Sequence, residues 1–358
     1  MVALPYPVVI AAGALERLAD VGRSAAPSHR IAVVSDTQVA SHHGRRVAAL
    51  LGVPGGEILT IPAGEEHKTR ESWARLTDDL LARRFGRDTV IVALGGGVVG
   101  DLAGFVAATY MRGVPVVQVP TTLLAMVDAS VGGKTGVDTP AGKNLVGAFH
   151  QPAAVVIDPL VLGTLPVDHL RAGFAEIVKH GVIADAMYFE RAQAFAEQWS
   201  LTSREGAGLA GLTEIIARSV EIKAEIVARD ERESGLRRVL NFGHTIGHAI
   251  EAATEFSTLH GQAVAIGLVA EARLAERLGV ATSGTSRMIE RACRAAGLPT
   301  TLPAIPVETL IDFTRADKKA RGGRVEYALP KRIGEMAGAD RGWTVAVDDV
   351  AVREALTQ

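Results

Sequence analysis

The sequence predicts a two-domain protein in which an α/β domain precedes an all-α domain. Up to residue 166, short β-branched runs alternate with amphipathic segments, which is typical of a mostly parallel, layered sheet. Beyond residue 167 the β-branched runs nearly vanish, and long segments with helical spacing replace them. We therefore expect an α/β domain over residues 1–166 and a helical domain over residues 167–358.

The individual elements follow from the local patterns. The clearest strands are expected at 31–34, 57–61, 89–94, 114–119 and 154–157. Between them, segment 70–84 is expected to be a helix, because its apolar residues recur every three or four positions. In the second domain, the same periodicity predicts helices at 170–197, 209–229 and 263–278.

The composition excludes several classes of protein. The 38 basic side chains nearly balance the 40 acidic ones, so no overall field attracts nucleic acid or an anionic membrane. Apolar runs are broken before they reach bilayer-spanning length, and the amino end is unlike a secretory signal. Cys293 is the single cysteine and is expected to be buried in a helix. We expect a cytoplasmic globular protein that acts on a small molecule.

A glycine-rich turn is the first candidate for a binding site. The run Gly95-Gly96-Gly97-Val98-Val99-Gly100-Asp101 follows a predicted strand and opens an apolar helical segment. Glycines at such a turn allow the backbone to approach a pyrophosphate, although many such turns reflect tight packing alone. The acidic residue usual about 20 positions later is absent, because Thr121 and Thr122 stand there. Asp36, which ends another strand, is the better candidate for the ribose hydroxyls of a dinucleotide.

A polar stripe in the second domain is the next candidate. Its spacings of four, three and four place four side chains on one face of a single expected helix: Arg237, Asn241, His244 and His248. The apolar neighbours favour a site over a solvent-facing surface. Glycines at positions 243 and 247 also indicate that another part of the molecule or a ligand approaches the backbone closely.

Histidine and glutamate residues near this stripe suit a metal. Position 245 is threonine, so the H-E-x-x-H pattern of zinc metalloproteases is missing. Two imidazoles and one carboxylate, with one open position, would form a catalytic zinc site. Spacing alone does not select which three converge among the candidates Glu176, His180, His244, His248 and His260.

Several cations lie in glycine-rich or apolar surroundings, where a phosphate or carboxylate is the expected partner. They are Arg112, Lys134, Lys143, Lys179, Lys223, Arg237 and the pair Lys318-Lys319. The sequence thus predicts a nucleotide site, a metal site and a group of anion-binding side chains.

With these motifs, the chain resembles the 3-dehydroquinate synthase family from about residue 62 to residue 335. The matching stretches are 64–68, 95–104, 110–113, 120–136, 142–144, 173–181, 223–231, 235–251, 260–261 and 317–319. The resemblance implies a Rossmann-like NAD-binding domain, a helical domain that binds metal and substrate, and an active site in the cleft between them. It also implies a homodimer formed through the amino-terminal domain.

The resemblance further assigns roles to individual residues. It makes Glu176, His244 and His260 the ligands of a zinc or cobalt ion. Positions that match NAD-binding residues are Asp36, Glu65, Lys68, Gly97, Val98, Val99, Gly100, Asp101, Thr121, Thr122, Lys134, Lys143 and Thr164. Positions that match substrate-binding or catalytic residues are Arg112, Asp128, Lys134, Asn144, Lys179, Lys223, Arg237, Asn241, His248 and one of Lys318 or Lys319.

The implied reaction converts 3-deoxy-D-arabino-heptulosonate 7-phosphate into 3-dehydroquinate and phosphate, in the shikimate pathway of aromatic amino acid biosynthesis. It proceeds by transient oxidation with NAD, phosphate elimination, re-reduction, ring opening and aldol closure. One departure is visible, because Gln262 stands where the family usually has glutamate. We expect the amide to fill a hydrogen-bonding role, with the lost charge weakening metal affinity.

Three other functions are weighed against this one. A related sugar phosphate cyclase of secondary metabolism would use the same cofactors on a substrate without a carboxylate. A metal-dependent NAD polyol or alcohol dehydrogenase would accumulate NADH, and a nucleotide-sensing module would not catalyse any reaction. The side chains that favour a carboxylated substrate are Lys143, Arg237, Asn241 and His248.

Overall fold

A computed structural model describes residues 4–53, 58–199, 206–316, 320–321 and 324–357. The chain forms two compact units. The first comprises Met1–Pro166 and Arg204–Val220, and the second comprises Val167–Ser203 and Glu221–Gln358. The expected assignment of nucleotide binding to one domain and metal binding to the other stays a prediction at this stage.

The first unit contains a six-stranded parallel sheet and a separate antiparallel hairpin. The strands are β1 Val8–Ile10, β2 Arg30–Asp36, β3 Leu59–Ile61, β4 Thr89–Gly95, β5 Val116–Pro120, β6 Lys134–Thr139, β7 Gly142–Phe149 and β8 Ala154–Ile157. In the sheet the order is β1-β8-β5-β4-β2-β3, and β6 pairs with β7 in the hairpin. All five expected strands therefore lie within two residues of their predicted bounds. β3 begins at Leu59, and residue 57, its expected first residue, lies outside the described residues.

Helices cover the sheet of this unit. Those before residue 167 are α1 Leu18–Ala25, α2 Thr37–Val39, α3 Arg45–Leu51, α4 Arg70–Ala82 and α5 Gly97–Thr109, and the first part of the helix Gly206–Arg229 also belongs to this unit. All seven residues of β4 are buried, as expected for a parallel strand with helices on both faces. Ile91 and Ala93 share a core with residues of α4 and α5, whereas Val90 and Val92 lie beside Leu18 of α1. The predicted fold class is confirmed.

The second unit is mainly helical. Its helices are α6 Val167–Ala184, α7 Ala186–Gln198, the last part of α8 Gly206–Arg229, α9 His244–Ala253, α10 His260–Arg277, α11 Thr285–Ala295, α12 Val307–Ala316 and α13 Asp349–Leu356. Its core includes Ile250 of α9, Leu274 of α10, Leu310 of α12 and Val352 of α13. Cys293 is buried in α11, as expected, and burial raises the pKa of its thiol to about 12.

Two details of the second unit differ from the expectation. The predicted helix 170–197 is two helices, because the Asp185 carboxylate accepts the Tyr188 N–H and starts α7. Short strands were also missed: β9 Ala320–Arg321, β10 Arg324–Tyr327, β11 Pro330–Arg332, β12 Glu335–Met336 and β13 Val345–Val347. Among the described residues, every helix is too short or too polar to cross a bilayer.

Candidate functional site

Three of the five candidate metal ligands converge in the second unit. Glu176 lies on α6 and is completely buried, whereas His244 and His260 are the first residues of α9 and α10. The Nε2 atoms of His244 and His260 lie 3.5 Å and 3.7 Å from Glu176 Oε1. All three ligand atoms lie within 4.8 Å of one another. Folding therefore brings together the same three residues that the family resemblance implied.

The geometry of this group fits a divalent ion. Ligand bonds of about 2.0–2.1 Å in a tetrahedral arrangement separate the ligand atoms by about 3.3–3.5 Å, close to the distances found. The second nitrogen of each ring has its own partner: His244 Nδ1 lies 3.1 Å from the Phe242 carbonyl, and His260 Nδ1 lies 3.0 Å from Glu251 Oε2. With protons on Nδ1, both Nε2 atoms offer their lone pairs to a metal.

The surroundings of the group favour an uncharged imidazole at His244 and a bound proton or metal ion at His260. Burial, with a further contribution from Lys179, holds the pKa of His244 well below its usual value. Burial also acts to lower the pKa of His260, but hydrogen bonds with Glu176 and Glu251 raise it to about 10. A divalent ion and a proton compete for the same lone pair of His260.

Glu251 is a functional candidate that the sequence reasoning missed. It lies on α9, is buried, and holds His260 in the carboxylate–histidine arrangement common behind metal ligands. Glu251 could have been found from the sequence, because it is the last residue of the stretch 235–251 that matches the family. Glu251, rather than residue 262, provides the carboxylate at His260 Nδ1. The predicted effect of Gln262 on metal affinity stays a prediction.

The prediction that the polar stripe occupies one helix is wrong. Arg237 and Asn241 lie on the 3-10 segment Leu236–Asn241, and α9 begins only at His244. The break occurs because Gly243 has a left-handed backbone, with φ 80°. The close approach expected at the glycines is confirmed, since a Cβ at Gly247 would lie 3.2–3.3 Å from backbone atoms of α10.

A fixed loop positions Arg237 and Asn241. The Arg237 side chain is 1% exposed and donates a hydrogen bond to the Glu231 carbonyl, while the Asn241 amide donates to the Glu233 carboxylate. The Asp230 carboxylate accepts three backbone N–H groups of this loop, including that of Arg237. Both predicted substrate-binding side chains are therefore held before any ligand arrives.

Other predicted substrate residues lie close to the metal group or elsewhere in this unit. Lys179 is buried and forms an ion pair with Glu176. The His248 ring is exposed, with its centre 5.4 Å from that of His244 and 6.0 Å from that of His260. Lys223 is buried on α8. Lys318 and Lys319 lie outside the described residues.

In the first unit, the glycine-rich turn has the predicted context between β4 and α5. A Cβ at Gly95 would lie 2.5 Å from Val99, and one at Gly96 would lie 3.0 Å from Thr122, so packing explains these glycines. A Cβ at Gly97 would meet Ala129 at an ordinary 3.4 Å. Packing within the chain therefore does not require glycine at 97. The first N–H groups of α5 have no partner within the helix, so an anion could accept their hydrogen bonds at this position.

A buried lysine joins several predicted NAD-binding residues. The Lys68 amine is 3.2 Å from carboxylate oxygens of Glu65 and Asp101 and 3.7 Å from Asp138, and Lys143 is 3.7 Å from Glu65. Burial acts to lower the pKa of Lys68, but the three carboxylates outweigh it and raise that pKa. Burial acts to raise the pKa of Glu65, but the charges of Lys68 and Lys143 outweigh it and lower that pKa.

Asp138 was missed by the sequence reasoning. Besides its contact with Lys68, its carboxylate accepts the Asn144 N–H at 2.8 Å, across the β6–β7 hairpin. Asn144, a predicted substrate residue, has a left-handed backbone with φ 54°. Burial raises the pKa of Asp138 against the opposing effect of Lys68. Asp138 thus links the predicted NAD-binding and substrate-binding residues of the first unit.

The remaining predicted residues of the first unit lie at turns and strand ends. The Asp36 carboxylate ends β2 and accepts the N–H groups of two α2 residues, at 2.8 and 2.9 Å. The Thr164 hydroxyl is 2.8 Å from His43 Nε2. Asp128 lies in the π-helical turn Ala125–Ala129, and Thr121 and Thr122 follow β5. Arg112 and Lys134 are exposed, the former with φ 67°.

Comparison with known proteins matches this chain to one family over most of its length. Residues 58–172 match the model of the 3-dehydroquinate synthase N-terminal domain, and residues 173–320 match that of the C-terminal domain. The 3-dehydroquinate synthase of Picosynechococcus sp. is 44% identical over 349 residues, which is 96% of this chain and 95% of the relative. That of Caulobacter vibrioides is 47% identical over 340 residues, 92% of this chain and 90% of the relative.

A solved structure agrees with these relatives. The 2-epi-5-epi-valiolone synthase from Streptomyces hygroscopicus subsp. jinggangensis 5008, with NAD+ and Zn2+ bound, has a TM-score of 0.84 and 31% identity. The similarity covers 99% of this chain and 96% of that one. The resemblance seen in the sequence motifs is thereby confirmed, and the chain belongs to the 3-dehydroquinate synthase family.

Proposed function

We propose that this chain converts 3-deoxy-D-arabino-heptulosonate 7-phosphate into 3-dehydroquinate and inorganic phosphate, as a carbon–oxygen lyase of the shikimate pathway. The observation that carries the proposal is the Glu176–His244–His260 group, in a chain 44% identical to a 3-dehydroquinate synthase over nearly its full length. The reaction needs NAD and one divalent metal, for which zinc and cobalt both suit the two imidazoles and one carboxylate.

Metal binding is assigned to Glu176, His244 and His260, with Glu251 orienting His260. The valiolone synthase, 31% identical, contains Zn2+, which supports this assignment. When bound, the ion supplies a Lewis acid that lowers the pKa of a coordinated substrate alcohol. Lys179, paired with Glu176, places a cation beside the ligand carboxylate, where negative charge would develop on the substrate.

NAD binding is assigned to the amino end of α5 and the surroundings of Lys68. The same valiolone synthase contains NAD+, and Gly97 leaves room for an anion beside the helix amides. When bound, NAD supplies transient oxidation of one substrate alcohol and takes no net part in the balance. The carboxylates of Glu65, Asp101 and Asp138 hold the Lys68 amine in one position for this purpose.

Substrate binding is assigned to the charged and polar side chains that match substrate-binding positions of the family. Arg237 suits the substrate carboxylate, because its planar guanidinium presents paired donors to both oxygens. Asn241, His248 and Lys223 are assigned to the neighbouring hydroxyls and the phosphate, together with Arg112, Asp128, Lys134 and Asn144. In the elimination, the carbon–oxygen bond to phosphate breaks while the proton beside the new ketone leaves, and these cations stabilise the negative charge.

We also propose a homodimer in the cytoplasm. Leu145, Val146 and Phe149 of β7 are 38%, 38% and 49% exposed, which is unusual for three large apolar side chains on one short strand. A second copy of the chain is the partner that the family resemblance implies. A cytoplasmic location would supply the NAD that is reduced and then reoxidised in each catalytic cycle.

The experiment that tests the function measures phosphate release from the heptulosonate phosphate, with zinc and substoichiometric NAD, while NADH absorbance is followed. Many turnovers per NAD, without accumulating NADH, are expected. Accumulating NADH without phosphate would instead identify a dehydrogenase. Activity on a sugar phosphate without a carboxylate, and none on the heptulosonate, would identify another cyclase. Arg237→Lys is the matched variant, since it keeps the charge and loses the planar fork.

A further inference from the structure

The amino end of α9, which carries His244, is capped by a neighbouring helix. The N-cap residue of α9 is Gly243, which has no side chain to accept the N–H groups of the first turn. Glycine is required there, because φ is 80° and a Cβ would lie 2.6 Å from the Leu268 side chain. The usual serine, threonine or aspartate cap is therefore excluded at this position.

Glu271 of α10 takes the place of that cap. Its two carboxylate oxygens accept the N–H groups of Gly243 at 2.7 Å and of Ile246 at 3.0 Å. Glu271 is 0% exposed, so its charge would be costly without such partners. The two amides and the positive end of the α9 dipole offset that cost.

These two hydrogen bonds enclose a metal ligand. Gly243 immediately precedes His244, and Ile246 follows it by two positions, so the carboxylate fixes the backbone on either side. The helix that carries Glu271 begins with His260, the second imidazole ligand. A Cβ at Gly267 of α10 would lie 2.0 Å from the Gly243 carbonyl, so the two helices are in direct backbone contact here.

We propose that Glu271 is a positioning residue for the metal site, which sets the spacing between His244 and His260 by fixing α9 on α10. This inference rests on the proposed metal site. Glu271→Gln keeps the size of the side chain but replaces one acceptor oxygen by an NH2 group that faces a backbone N–H. Binding of Co2+ and Zn2+ is expected to weaken 10- to 100-fold, roughly the effect of losing a residue that orients a ligand.

A matched control lies on the same helix. Glu276 of α10 accepts the Ser286 N–H, at 2.6 Å, near the start of α11. Glu276→Gln therefore also removes a carboxylate that binds the backbone at a helix start, but that helix carries none of the three proposed ligands. Glu276 is only partly buried and accepts one N–H group, whereas Glu271 is fully buried and accepts two, so the urea midpoint of each variant is measured beside its metal affinity. Loss of ligand positioning would weaken metal binding by folded Glu271→Gln and leave binding by Glu276→Gln unchanged.

The test is titration of the metal-free protein with Co2+, read from its visible absorption, and with Zn2+ against a chelator. Wild-type protein that binds no metal would reject the proposed metal site itself. Weak binding by Glu271→Gln with wild-type binding by Glu276→Gln is expected. Binding within twofold of wild type by Glu271→Gln, or equal losses in both variants, overturns the inference. If Glu271→Gln does not fold, Glu271→Met is measured, which has a similar length but no acceptor oxygen, and wild-type affinity in that variant has the same consequence.

Discussion

Replacement of Asp230 by alanine tests whether one carboxylate holds the loop that positions Arg237. That carboxylate accepts the N–H groups of Ser234, Gly235 and Arg237 at 3.0, 2.7 and 3.0 Å. Partial burial acts to raise the pKa of Asp230, but the hydrogen bonds lower it from 3.8 to about 2. The folded loop therefore favours the ionised carboxylate over the protonated one more than the unfolded chain does.

The size of the effect follows from that pKa. The lowering corresponds to about 2.4 kcal/mol of stability at neutral pH. Because the side chain also contacts solvent, screening reduces the expected contribution to about 1 kcal/mol. The contribution is complete above pH 3.8, the ordinary pKa of the group, and is lost as the pH falls through about 2. The difference between wild type and Asp230→Ala should shrink over the same range.

The measurements are urea midpoints between pH 7 and pH 2, and steady-state kinetics with the heptulosonate phosphate. Asp230→Ala is expected to lower the midpoint at pH 7 and to raise KM about tenfold, with a smaller change in kcat, because the Arg237 backbone loses its anchor. Asp312→Ala is the control. That carboxylate is exposed and forms a surface ion pair with Arg315, so its removal should change neither the midpoint nor KM appreciably. A wild-type midpoint and a wild-type KM in Asp230→Ala would refute the reasoning.

Three further substitutions test the two proposed cofactor sites. Glu251→Gln should weaken zinc binding 10- to 100-fold in a chelator competition, because the carboxylate that orients His260 is lost; the exposed Glu255→Gln should have no effect. Gly97→Ala should leave the thermal midpoint nearly unchanged, since the added Cβ meets its nearest neighbour at 3.4 Å, yet lower NAD affinity about tenfold by calorimetry. Unchanged affinity would contradict a ligand contact there. Lys68→Met should destabilise the chain by about 2 kcal/mol and weaken NAD binding, because three carboxylates lose their cation; a wild-type urea midpoint would be inconsistent with this.

Most of the fold could be predicted from local patterns. The run that forms β4 is apolar from Val90 to Leu94 because both faces of the strand are covered, and this burial is visible in sequence as an uninterrupted apolar stretch. Several missed strands are short, since β1 has three residues and β9 and β12 have two each, but the hairpin strands β6 and β7, with six and eight residues, were missed as well. The short segments are stabilised by pairing with distant residues rather than by their own composition.

The candidate site could be predicted less completely, since its residues converge only after folding. Periodicity alone placed Arg237 and His244 on one helix, because the pattern does not reveal the left-handed turn at Gly243. Spacing also left five candidate metal ligands. Glu176, His244 and His260 converge from three helices, and His248 and His180 lie in other groups of possible ligands that share His260 or Glu176. Glu251 contacts an imidazole nine positions away in the chain, and Glu271 accepts backbone N–H groups that lie 25 and 28 positions away. Because these partners lie on other helices, the residue spacing within one helix did not reveal either role.

The position of the two proposed imidazole ligands explains why so many carboxylates surround them. His244 and His260 are the first residues of α9 and α10, and the positive end of a helix dipole disfavours a cation. Glu271 belongs to α10, but its carboxylate lies at the amino end of α9. Glu251 belongs to α9, and its carboxylate contacts His260 at the amino end of α10. Together with Glu176 they place negative charge where the two dipoles oppose metal binding. Neutralising Glu251 or Glu271 should therefore weaken zinc binding more than neutralising an exposed carboxylate on the same helices.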